Sequence, residues 1–140
     1  MLYEEIKKAN IQAMKDKDAV ARSIYSVLLS KIKLEEIRKR EKGEEIADAD
    51  ISNILQKTIK ELEEEKLNYE KVGNGEEVAK IETQIEIASK YLPKMISEDE
   101  IREIILALED KSMPTVMKHF KQNYNGLCDM RKVQEVLKGI

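Results

Sequence analysis

Tyr91-Leu92-Pro93, followed by Ser97-Glu98-Asp99-Glu100, divides this chain into two unequal helical blocks. Proline cannot donate a backbone hydrogen bond and pushes the residue before it out of helical geometry. Four residues on, Ser97 and Glu100 form an S-x-x-E capping box, a pattern that starts a helix. The predicted organisation is an N-terminal helical domain over 1–92, a linker over 93–96 and a C-terminal domain over 97–140. Everything around this punctuation is helical in composition. Glu, Lys, Ile and Leu dominate, with only five Gly, two Pro and 4% aromatic residues.

The predicted fold class is all-α, with an N-terminal bundle of about four helices and a small C-terminal domain of three. Helix-period stripes carry the first block. Leu2, Ile6, Ala9, Ala13 and Met14 mark a first helix over 2–16, and Asp18 is the N-cap candidate of a second over 19–42. The second helix is apolar over more than half its circumference, from Val20 to Leu34, which predicts a central element surrounded by the others. Arg38-Lys39-Arg40 complements its C-terminal dipole before Gly43 stops it. Asp48 is the expected cap of a third helix over 49–72, whose apolar stripe thins after Leu62. Val72-Gly73-Asn74-Gly75 is a turn, because Gly and Asn tolerate positive φ. A fourth helix over 76–92 then returns, making a long antiparallel hairpin.

The second block is shorter in every element. Ile101, Ile104, Ile105 and Leu108 give one helix over 98–109. Pro114 suits the first turn of the next, capped by Ser112 or Met113, with Val116, Met117, Phe120 and Tyr124 inward. Asp129 caps a last helix in which Met130, Val133, Val136, Leu137 and Ile140 face inward.

Charge is uneven. Residues 1–92 hold 17 basic and 20 acidic side chains, 93–110 hold two and six, and 111–140 hold six and two. The last thirty residues are therefore basic on an otherwise acidic chain of net charge −3. Lys118 and Lys121 fall opposite the apolar side of their helix, as do Arg131 and Lys138 on the last one. Cations so placed suit a phosphate backbone, and RNA recognition would add a stacking aromatic, for which Tyr124 is the candidate. Elsewhere, Arg22 lies on the polar strip of the second helix and is expected to pair with Glu82 or Glu86 of the hairpin, as a packing contact. The acidic hairpin projection around Glu61 to Glu77 is a second candidate surface, for a protein partner.

Chemistry is harder to find. Gly73-Asn74-Gly75 lacks the GK[ST] of a phosphate-binding loop, and the carboxylate pairs Glu61/Glu65 and Glu82/Glu86 have no Glu-x-x-His companions. His119 is the sole histidine. Cys128 precedes an N-cap and reads as a small packing residue, as Met113, Met117 and Met130 read as core filling. The expectation is a non-catalytic protein with no cofactor and no metal. A single cysteine allows no internal disulfide. The start Met1-Leu2-Tyr3-Glu4-Glu5-Ile6 is acidic where a signal peptide is basic, and no apolar run reaches the ~20 residues of a membrane span. These features predict a cytoplasmic protein away from membranes.

The order of these elements carries a resemblance. Arg22 leads into Val27-Leu28-Leu29 and Glu36-Ile37. Glu82 and Glu86 precede Tyr91-Leu92-Pro93 and Ser97-Glu98-Asp99-Glu100-Ile101. Val116-Met117, Gly126, Asp129 and Val133 follow in the tail. In this order and spacing the chain resembles the GatB/YqeY family over essentially its whole length. Pro114-Thr115 stands where members often have glycine, Leu127 where they often have a basic residue, and Asn74-Gly75 where the hairpin turn usually carries arginine. Those departures weaken an anion-binding role at these three places. The resemblance implies a tail similar to the C-terminal domain of the tRNA-dependent amidotransferase B subunit, which is associated with gripping tRNA. It also implies a carbon–nitrogen ligase label. The ATP- and magnesium-using region of that enzyme has no counterpart here.

Overall fold

A computed structural model of the chain describes residues 2–140, which form seven α-helices and no strand. They are α1 Leu2–Lys15, α2 Ala19–Glu41, α3 Asp48–Lys71, α4 Gly75–Ser89, α5 Glu98–Ala107, α6 Met113–Asn123 and α7 Met130–Lys138. The contacts divide the chain into two compact units, Met1–Leu92 and Pro93–Ile140.

In the first unit, α2 packs against α1, α3 and α4, and α3 pairs with α4. Ile6, Ile24, Leu28, Ile32, Ile51, Leu55 and Ala88 are fully buried between them. Asp18 caps α2, its carboxylate accepting from the Ala21 amide at 3.1 Å. The start of α3 departs from the sequence expectation. Ala47 takes the N-cap position, and its amide donates to the Asp50 carboxylate at 2.9 Å. Asp48 instead accepts from the Leu2 amide at 3.1 Å, so it serves one of the four orphan N–H groups of α1. Asn74 caps α4 by accepting from the Glu77 amide, and Gly73 takes φ +71° in the turn before it. α4 ends at Ser89, three residues before the expected boundary, and Tyr91 and Leu92 continue as turns into Pro93.

Two features of this unit were not legible beforehand. α2 is central by contact but not enclosed, for Val27, Leu34 and Ile37 are 44%, 69% and 41% exposed. The Tyr25 and Tyr91 hydroxyls meet at 3.0 Å, with their rings edge to face at 6.1 Å. Tyr25 is buried, and that burial, reinforced by the Tyr91 hydrogen bond, raises its phenol well above the ordinary tyrosine range. The contact ties the end of the unit back to its central helix. Tyr91→Phe is expected to lower the unfolding free energy of this unit by about 1–2 kcal/mol, because it strands a buried hydroxyl. Tyr25→Phe with Tyr91→Phe should recover part of that loss. Denaturant titration of the two single variants and the double variant reads the coupling.

The second unit buries Ile101, Ile105, Val116, Phe120, Cys128, Val133 and Val136 among α5, α6 and α7. Its start is the expected capping box: the Glu100 amide donates to Ser97 Oγ at 3.2 Å, and the Ser97 amide to the Glu100 carboxylate at 3.4 Å. Asp129 caps α7 by accepting from the Arg131 amide at 3.0 Å. Ile96, in the predicted linker, belongs to this unit, since its amide donates to the Leu127 carbonyl at 2.8 Å and its side chain packs on the core. Ile140 and Met113, expected inside, are 46% and 37% exposed. Both lie at helix ends, beyond the reach of the small core.

Candidate nucleic-acid interface

The basic faces of α6 and α7 follow from helix geometry. At 100° per residue, Lys118 and Lys121 stand about 140–200° from buried Val116, and Arg131 and Lys138 are similarly opposed to Val133 and Val136. All four are exposed, and among the described residues none of them enters an ion pair. Lys132, one position along α7, behaves differently. It is half-buried and its ammonium meets Glu98 on α5 at 2.7 Å and Glu135 at 3.9 Å. The hydrogen bond with Glu98 holds the Lys132 ammonium above the usual lysine value and the Glu98 carboxyl below its own. Lys132 thus fastens α7 to α5, while the other four cations keep their charge open to solvent. Because α6 and α7 pack together, the two pairs ride on neighbouring helices.

Next to these cations lies a ring cluster. Phe120 is fully buried, with the Tyr124 ring 5.5 Å and the His119 ring 5.9 Å from it, and those two are 6.0 Å apart. Tyr124 and His119 are each half-buried. His119 Nδ1 contacts the Asn123 side-chain amide at 3.3 Å. The Cys128 thiol is buried, 3.7 Å from the Tyr124 carbonyl, and burial raises its pKa rather than activating it. Asp110 holds the start of α6, accepting from the Ser112 amide at 2.9 Å and from Thr115 Oγ1 at 2.8 Å, with its carboxyl correspondingly lowered by the Ser112 amide.

The packing pair expected in the first unit takes another form. Arg22 is exposed, Glu82 meets Lys66 of α3 at 3.5 Å, and Glu86 is exposed. The polar link from α2 to α4 is instead Gln84 Nε2 donating to Ser23 Oγ at 2.7 Å. Arg22 and Ser23 both lie on the polar strip of α2 but 100° apart, and the packing of α4 brings Gln84 to Ser23 and leaves Arg22 in solvent. Lys31 makes a second link, donating to Thr58 Oγ1 at 3.1 Å and to Glu61 at 3.0 Å, which engages one acid of the hairpin. Beyond Leu62 no residue of α3 is buried, and Leu67 and Val72 are 55% and 75% exposed at the hairpin's far end.

A cleft of about 570 Å³ also opens beside α1, the end of α2 and the loop before α3, a feature without a sequence signal. Its cations are already partnered. Lys7 sits 3.9 Å over the Tyr3 ring and 3.7 Å from Glu4, and Arg40 meets Glu36 at 3.5 Å. Among the described residues no three His, Cys, Asp or Glu side chains group as metal ligands, and no helix is long and apolar enough to cross a membrane.

Comparison with known families bears on this arrangement. The family described as Yqey-like protein matches residues 3–140. The chain belongs to the YqeY-like family. That match takes in both units, including α6 and α7 with their four open cations. No curated protein matches the chain.

Proposed function

We propose that this YqeY-like chain is a non-catalytic accessory protein that binds tRNA or another structured RNA through Lys118, Lys121, Arg131 and Lys138. One observation carries the reading. These four cations are exposed and, among the described residues, outside any ion pair, whereas neighbouring Lys132 is engaged in holding the unit together. An ammonium already paired to a carboxylate gains little from a phosphate; an open one exchanges only counterions for it. The tail's resemblance to the tRNA-associated domain of the amidotransferase supports the same ligand. Phosphate contacts supply affinity without sequence reading, so the expected binding is tolerant of sequence and sensitive to salt.

The test is binding of bulk tRNA to the full chain across a salt series. Micromolar affinity that weakens steeply with salt supports the reading, and absence of binding at low salt overturns it. We assign the chain no reaction of its own; glutamine-dependent ATP turnover by the pure protein would overturn that part and restore the carbon–nitrogen ligase label.

A second reading, a protein-interaction adaptor, is favoured by one specific feature. Residues 61–77 carry seven acidic and two basic side chains around exposed Leu67 and Val72. Apolar anchors in an acidic collar suit a basic protein partner. Reversing Glu63, Glu64 and Glu65 to lysine is then expected to abolish partner capture in affinity purification and leave tRNA affinity unchanged.

A further inference from the structure

The cleft beside α1 has the size of a small-molecule site, about 570 Å³. Four carboxylates line it, Glu4 from α1, Glu36 from α2, and Glu44 and Glu45 from the loop before α3, against two cations, Lys7 and Arg40. Tyr3 lines it as well. That residue is only 9% exposed, and among the described residues its hydroxyl has no hydrogen-bond partner. A phenol hydroxyl so far buried normally finds a partner. One that borders a cleft and lacks a partner in the chain is a place for a ligand's donor. The carboxylates are unevenly engaged. Glu36 receives Arg40 at 3.5 Å and Lys33 at 3.3 Å, and Glu44 receives Lys39 at 3.2 Å. Glu45 pairs with nothing among the described residues. Glu4 holds Lys7 at 3.7 Å, and the same ammonium lies 3.9 Å from the centre of the Tyr3 ring. An aromatic face with a carboxylate beside it is a cation site. Lys7 fills it with a long side chain, 45% exposed, that can swing into solvent and give up the place.

We propose that this cleft binds a linear polyamine, one ammonium taking the place of Lys7 over Tyr3 and the others meeting the Tyr3 hydroxyl and the unpaired Glu45. Two observations select that ligand. The carboxylates come from three segments, and among the described residues no three His, Cys, Asp or Glu side chains group as metal ligands. The negative charge is therefore spread along the cleft and not focused on a point. A point cation such as magnesium needs converging oxygens, whereas methylenes carrying several ammoniums suit separated ones. An anion is disfavoured, because both cations of the lining already have carboxylate partners. This site lies within the first unit and stands apart from the RNA reading of the second.

Calorimetric titration of the full chain with spermidine, at low salt and without RNA, tests it. The expected result is a single site of sub-millimolar affinity, with amide shifts confined to α1, the end of α2 and the loop before α3. Tyr3→Phe and Glu45→Gln should each weaken binding about 10-fold, the effect of losing one hydrogen bond to a charged group. Tyr3→Phe removes only an unpartnered hydroxyl, so the melting temperature should hold. Lys7→Gln should tighten binding by about 3-fold or more, since it removes the resident ammonium. Lys8→Gln, an equal change of charge at an exposed position one residue on, should alter binding less than about two-fold. Magnesium and butylamine should each bind at least about 10-fold more weakly than spermidine. Absence of spermidine binding would overturn the proposal. So would binding that magnesium matches, that Tyr3→Phe leaves unchanged, or that Lys7→Gln and Lys8→Gln raise equally, each the mark of diffuse charge attraction.

Discussion

Replacing Lys118, Lys121, Arg131 and Lys138 together with glutamine should cost roughly three powers of ten in tRNA affinity at ~0.1 M salt. Each phosphate contact on a duplex releases about 0.9 of a condensed counterion, so four contacts contribute ~3.6 to the slope of log affinity against log salt. The same stoichiometry sets the loss at a given salt concentration, and the variant's slope should flatten by that amount. Fluorescence anisotropy with labelled bulk tRNA from ~0.05 to ~0.3 M salt measures both. Because all four side chains are exposed and unpaired among the described residues, their removal should leave the melting temperature where it was. Lys132→Gln makes the contrasting control. It breaks the 2.7 Å contact with Glu98, so it should disturb the fold of the second unit more than its ligand affinity per charge. An unchanged affinity in the four-fold variant would return the basic faces to ordinary solvated surface.

Phe120→Ala should unfold the second unit while the first remains folded. Phe120 is fully buried and in ring contact with both Tyr124 and His119. Truncating a buried phenylalanine costs about 3–5 kcal/mol, the lost transfer energy plus the cavity left behind. A core made of three short helices over residues 93–140 has a total stability of only about 3–5 kcal/mol. The substitution therefore removes most or all of it. Amide resonances of α5, α6 and α7 should collapse to random-coil positions, while those of α1 to α4 stay dispersed. Loss of tRNA binding would accompany this collapse, and spectroscopy separates it from loss through the four cations. Collapse of both units together would show that the first unit depends on the second.

The two experiments probe features that differ in how far the sequence discloses them. Helix starts are disclosed well, because a cap is made within three residues. Asp18, Ser97 and Asp129 all cap the helices their positions imply, whereas Asn74, expected as a turn residue, also caps α4. The one misplaced start shows the limit. Asp48 was expected to cap α3 but accepts from Leu2, 46 residues away, and Asp50 closes the local bond instead. Of the candidate cations, periodicity separates Lys118, Lys121, Arg131 and Lys138 from the buried residues, and the structure adds that they are unpaired. Periodicity cannot foresee that Lys132, next in line, is engaged by Glu98.

What the sequence alone determined is the helical class, the break at Tyr91-Leu92-Pro93, most helix termini, and which side of each short helix turns inward. These depend on proline and glycine backbone limits, on i to i+3 capping and on the helical period, all of them local. Tertiary structure decided which polar groups meet: Tyr25 with Tyr91, Ser23 with Gln84, Lys31 with Thr58 and Glu61. It also decided that one apolar side of α2 stays uncovered. An apolar stripe records only that a surface avoids water; how many helices come to cover it depends on crossing geometry and chain length, which a one-dimensional period does not encode.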